Sequence, residues 1–126
     1  MGIISPSIHR VLDFIVVVLF AAAPTLFHLK GNTMYLAYGL ALIHLVLTLA
    51  THFPGRAGGA VPFRTHGIVE LVVGIVLVCV PFLRHWTFGA RKFYPMIGLL
   101  VLVVWALTRY RDDAAAEVAP DVRPAT

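Results

Sequence analysis

The sequence predicts an all-α fold: an integral membrane four-helix bundle built from two tandem helical hairpins related by a parallel pseudo-two-fold repeat. Three observations carry that expectation. Hydrophobic residues make up 60% of the 126-residue chain and charged residues 13%, a balance that belongs to a bilayer-embedded protein and not a soluble one. Long apolar stretches alternate with short connections rich in Gly, Pro and basic residues. The first half of the chain recurs in the second.

Crossing ~30 Å of hydrocarbon takes roughly 20 mostly apolar residues in a helix, which satisfies its own backbone groups. Stretches 9–26, 34–51, 65–83 and 94–108 meet that requirement. They divide the chain into a lead (1–8), a first transmembrane hairpin (9–52), a connecting loop (53–64), a second hairpin (65–109) and an acidic tail (110–126). The tail, "DDAAAEVAPDVRPAT" after Arg111, is polar and rich in Ala and Pro, a composition that predicts disorder.

The first span is read as a helix and not as a cleaved signal peptide. Pro24 would directly follow a cut after Ala23, and Asp13 interrupts the apolar run that a signal peptide needs. "SPSIHR" fits a helix start, with Ser5 as N-cap and Pro6 in the first helical position. "MGIISP" has Pro6 where a myristoylation signal needs Ser or Thr. Cys79, alone in its chain, forms no intramolecular disulfide.

The formal net charge of +4 is scattered among connections instead of forming a basic face, which excludes nucleic acid as the expected partner. Four spans put both termini on one side, together with Arg10, Arg56, Arg64, Arg109, Arg111 and Arg123, against Lys30, Arg84, Arg91 and Lys92 opposite. The positive-inside bias then predicts cytoplasmic termini in a cytoplasmic (inner) membrane. The expected partners are the lipid bilayer and either a second copy or another membrane protein.

The repeat singles out particular residues. "HRVLDFIVVVLFAAAPTLFHL" and "HGIVELVVGIVLVCVPFLRHW" align without a gap and match His9 to His66, Asp13 to Glu70, Pro24 to Pro81 and His28 to His85. The second and fourth spans, "YGLALIHLVLT" and "IGLLVLVVWALT", align with a small gap. Asp13 and Glu70 are the acidic residues outside the tail, and intramembrane carboxylates are functional-site candidates by default.

Residues four apart sit about 40° apart around a helix, so His9 shares a face with Asp13, and His66 with Glu70. In the second span Ala37, Ala41, His44, Thr48, Thr51 and His52 form a small and polar face suited to close packing. Depth places His9, His52 and His66 near the side of the termini, with Asp13, Thr48 and Glu70 one turn deeper. The candidate proton or metal site is therefore His9, Asp13, His66 and Glu70, with His44 and His52 as second candidates.

Three readings of this constellation stand open. In the structural one, carboxylates in the first turns of their helices are favoured by the macrodipole, and His four residues away is a local partner. In the second, paired imidazole and carboxylate hold a proton or a divalent transition metal, as in a proton- or metal-linked transporter. The third, a haem between facing histidines, is disfavoured because His44 meets "VLVVW" in the fourth span. The sequence implies no cofactor. Without a nucleophile elbow, phosphate loop or zinc-protease motif, it also implies no enzyme.

"AAAPTLFHLKGNTMYLAYGLALI" and "VCVPFLRHWTFGARKFYPMIGLL" carry a small-Pro-aromatic exit, a short loop and a Gly-containing second helix. In this the chain resembles the SPW-repeat membrane proteins of bacteria, with Ala23-Pro24-Thr25 and Val80-Pro81-Phe82 in place of Ser-Pro-Trp. The resemblance implies a small four-helix membrane protein without an assigned biochemical role and no catalytic residues. Pro24 and Pro81 have a structural expectation of their own, to kink or end their helices. Together these readings predict a structural or interaction module, with the transporter as alternative.

Overall fold

Ser5 starts the first helix. Its side-chain oxygen accepts a hydrogen bond from the Ile8 N–H at 3.3 Å and Pro6 takes the first helical position, giving α1 (Pro6–Leu26). The computed structural model describes residues 2–110, so the expected acidic tail beyond Tyr110 lies outside the described residues. Pro24 sits inside the last turn, and the helix ends two residues later. There the Phe27 N–H bonds to Ala23 O (2.8 Å) and the Leu29 N–H to Pro24 O (3.0 Å), with His28 between them in the left-handed region at φ 52°. This is the usual way a helix turns off, here with His in the place glycine generally fills.

The other helices are α2 (Asn32–Ala50), α3 (Phe63–Leu83) and α4 (Phe88–Leu107). All four are long and apolar enough to cross a membrane, with mean hydropathies of 1.7, 1.7, 2.3 and 1.6. Their outer faces carry exposed Ile15, Val18, Leu42, Val46, Val72, Val76, Leu99 and Val103, side chains that suit lipid and not water. The fourth helix starts six residues before the expected 94. Arg91 and Lys92 make its first turns look like a loop, yet both heads stay exposed, and Lys92 Nζ lies 4.3 Å from the Phe88 ring centroid one turn back.

α1 packs most extensively on α2, and α3 on α4. The core between them holds Phe20, Ala37, Ala41, Leu77, Phe93, Tyr94, Ile97 and Val101. Tyr94, fully buried, donates its hydroxyl hydrogen bond to Thr33 O. Gly74 and Gly98 let α3 and α4 approach closely, since a Cβ on Gly98 would lie 2.9 Å from Gly74 O.

Two short parallel pairings lie at the end where the site is built. β1 (Thr51–His52) pairs with β2 (Val61–Pro62), and Ile4 forms the corresponding bridge to Thr108. Ile4 N–H bonds to Leu107 O at 2.9 Å and Arg109 N–H to Ile4 O at 3.1 Å, which fastens the N-terminal segment to the end of α4.

The repeat runs further than sequence alignment suggests. α3 begins and ends 57 positions after α1 (Pro6 to Phe63, Leu26 to Leu83), and α4 ends 57 positions after α2 (Ala50 to Leu107). Ile4 and Val61, and likewise Thr51 and Thr108, hold matching places in the pairings. The small gap expected between the second and fourth spans is therefore absent. Aligning Gly39 with Gly98 created it, whereas the shared register sets the buried Ala41 opposite Gly98.

Candidate functional site

Two turns into α1 and α3, four side chains come together. His9, Asp13, His66 and Glu70 are all buried, and one ligand atom from each lies within 4.8 Å of the other three. The distances form a closed ring. His9 Nε2 is 3.2 Å from Asp13 Oδ1 and 3.1 Å from Glu70 Oε2, while His66 Nε2 is 3.4 Å from Asp13 Oδ2 and 3.3 Å from Glu70 Oε1. Each carboxylate thus faces both imidazoles, and the i, i+4 pairs of the two helices form one cluster.

The depth of the carboxylates corrects one expectation. Neither α1 nor α3 has an acidic residue in its first turn, because the helices begin at Pro6 and Phe63. The macrodipole, whose effect fades within the first turn, gives Asp13 and Glu70 little support.

Threonines fix the orientation of the histidines. Thr51 Oγ1 donates to Leu47 O and Thr108 Oγ1 to Val104 O, each at 2.6 Å, which uses the only hydroxyl proton each possesses. Each oxygen is then free to accept, and the contacts to His66 Nδ1 (2.8 Å) and His9 Nδ1 (2.7 Å) are therefore N–H donations from the rings. With Nδ1 protonated, a neutral ring turns the Nε2 lone pair toward the carboxylates. The Nε2 atoms of His9, His44 and His66 are buried and make no hydrogen bond among the described residues.

The remaining neighbours close the site. Tyr110 donates to Glu70 Oε2 at 3.1 Å and sets its ring edge-on to His9, at 5.8 Å between centroids. Phe53 takes the matching place against His66, also at 5.8 Å. Burial pushes the Tyr110 phenol well above its usual range and the Glu70 charge adds to the effect, so the hydroxyl stays protonated and remains a donor. Thr48 Oγ1 donates to His44 O at 2.8 Å and approaches Asp13 Oδ2 at 3.4 Å.

Of the second candidates, His44 lies on the flank with Nε2 3.7 Å from Asp13 Oδ1. His52 does not join. It follows Thr51 in an extended strand, where alternation buries Thr51 and turns His52 outward, and its Nδ1 bonds to Gly58 O at 2.7 Å. Thr108 and Tyr110 escaped the sequence reading. Their matching positions 57 residues before, Thr51 and Phe53, were the signal that could have found them. Pro24 and Pro81 are both buried within the last turns of α1 and α3, distant in sequence from the cluster.

No protein-family model, curated protein or solved structure matches this chain.

Proposed function

We propose that this is a multi-pass membrane protein that binds and retains a cation at a buried histidine–carboxylate centre. One observation carries the reading: buried imidazole nitrogens with no hydrogen bond of their own converge on two carboxylates. Two ionised carboxylates buried beside each other are costly without positive charge between them. Among the described residues no Lys or Arg pairs with either, so the charge has to reside at the imidazoles or between them.

Retention fits better than passage. The core cluster holds Phe20, Leu77, Phe93 and Ile97, and the Tyr94 hydroxyl within it is spent on Thr33 O. A conducting path would need polar groups continuing through that cluster.

The matching registers of the two halves support a parallel pseudo-two-fold axis along the membrane normal, with His9 and Asp13 related to His66 and Glu70. The charge bias supports cytoplasmic termini and, with them, a centre toward the cytoplasmic face. Kinship with SPW-repeat proteins of bacterial membranes rests on the paired proline exits.

A structural module is the second reading. What favours it is that the His9–Thr108 and His66–Thr51 bonds also staple one half of the chain to the other. The double variant Asp13→Asn, Glu70→Gln separates the two. If cation binding is the function, the variant purifies in detergent with helix content unchanged and a Tm within a few degrees of the EDTA-treated parent. Failure to accumulate folded protein would return the cluster to a purely structural role.

A further inference from the structure

Resting on the cation reading, we propose that His9, Asp13, His66 and Glu70 form a binding site for a divalent first-row transition metal.

Tautomer and geometry point the same way. Thr51 and Thr108 hold Nδ1–H on each ring, which leaves Nε2 with two options: to carry a second proton or to donate its lone pair to a metal. A second proton would set a charged Nε2–H against carboxylate oxygens 3.1–3.4 Å away, so a proton and a metal compete for the same place between the rings and the carboxylates. Ligands at ~2.0–2.1 Å from one tetrahedral ion lie ~3.3–3.4 Å from each other, each displaced from its neighbour's lone-pair axis. The four N···O separations here run from 3.1 to 3.4 Å, and one ligand atom from each residue lies within 4.8 Å of the other three, so the four side chains need only a small contraction to share one ion.

Charge and donor type narrow the ion. Two neutral imidazoles and two carboxylates carry a charge of −2, which a dication cancels. Two nitrogens and two oxygens suit zinc, manganese, iron(II) or cobalt(II), whereas calcium and magnesium favour all-oxygen shells. The outer shell is the kind that metal sites use: Thr108 orients His9, Thr51 orients His66, and Tyr110 donates to Glu70. His44, with Nε2 3.7 Å from Asp13 Oδ1, stands where a small ring movement would add a fifth ligand.

The test uses the full chain purified in detergent. Metal content is measured first, and EDTA-treated protein is then titrated with cobalt(II), followed by visible absorption and proton release. The expected result is about one cobalt per chain with ligand-field bands, displaced by zinc. His66→Gln and His9→Gln should each weaken binding by ~10-fold or more and change the bands. Affinity should fall as pH is lowered, because protons compete for Nε2.

Folded parent protein that takes up none of cobalt, zinc and manganese would overturn the metal assignment. So would cobalt binding that both histidine variants leave unchanged, which would place the ion elsewhere. Either result leaves the cation reading standing if the Asp13→Asn, Glu70→Gln variant still folds. Loss of that fold removes the cation reading itself. Circular dichroism of each Gln variant separates a lost ligand from a lost fold.

Discussion

At the scale of single residues, Thr51 and Thr108 matter more than their size suggests. Each closes a helix and spends its hydroxyl proton on a carbonyl one turn back, which turns its oxygen into an obligate acceptor for a histidine of the other half. Valine has the same shape without that acceptor. Thr51→Val or Thr108→Val should therefore loosen metal binding by ~10–100-fold while the helices persist, and serine should restore most of it. Cobalt titration of the three proteins at each position measures this.

Tyr110 makes a different contribution. Its neutral phenol is favoured in the fold, so the stability it adds is fully present below the ordinary tyrosine pKa of about 10 and is lost as pH rises beyond it. Tyr110→Phe should flatten the alkaline limb of the Tm-against-pH curve above about pH 10 and leave the region near pH 7 flat. Phe53, in the corresponding place, shows that an aromatic ring without hydroxyl packs well there.

Between elements, the α3–α4 crossing is a close backbone contact. A side chain on Gly98 meets backbone, Gly74 O at 2.9 Å and Val78 N at 3.0 Å, neither of which can rotate away. Gly98→Leu should force the helices apart and cost about 1–3 kcal/mol, seen as a drop in Tm in detergent. Gly39→Leu is the control, because a Cβ there meets nothing within 4 Å.

The same elements show what the sequence made legible. Four spans, the tandem repeat and the buried His9, Asp13, His66 and Glu70 could be read because charged residues in apolar helices are rare and their spacing is strict. Helix starts were harder. The basic residues of α4 sit in its first turns with their heads exposed, so hydropathy alone dates the helix too late. The register of α2 against α4 was obscured because Leu and Val runs carry no positional mark. Convergence across α1 and α3 could not be read from spacing, which fixes a face of one helix but not what another helix brings to it.

On the scale of the whole molecule, the apolar exterior and the buried ionic centre impose opposite demands. The outer faces of all four helices present exposed aliphatic side chains, and all four are long and apolar enough to cross a membrane. The centre concentrates the described chain's carboxylates within one small volume near the end where Ile4 meets Thr108. Metal binding would relieve the charge without opening the apolar exterior, so occupancy should raise Tm as well. EDTA-treated and zinc-loaded samples compared by thermal melting would show a higher midpoint for the loaded form, increasing with free zinc.

The clasp between the halves is reciprocal. Ile4 of the first pairs with Thr108 of the second, Val61 of the second pairs with Thr51 of the first, and each threonine then orients the other half's histidine. Contacts of this form, in which one surface meets its own equivalent with partners exchanged, are those of an isologous dimer. The chain accordingly reads as two protomers fused through the 53–60 connection. Neither carries a complete centre: one half alone would hold a histidine without its acceptor and a carboxylate without its second imidazole, and would have to find a second copy of itself to finish the site.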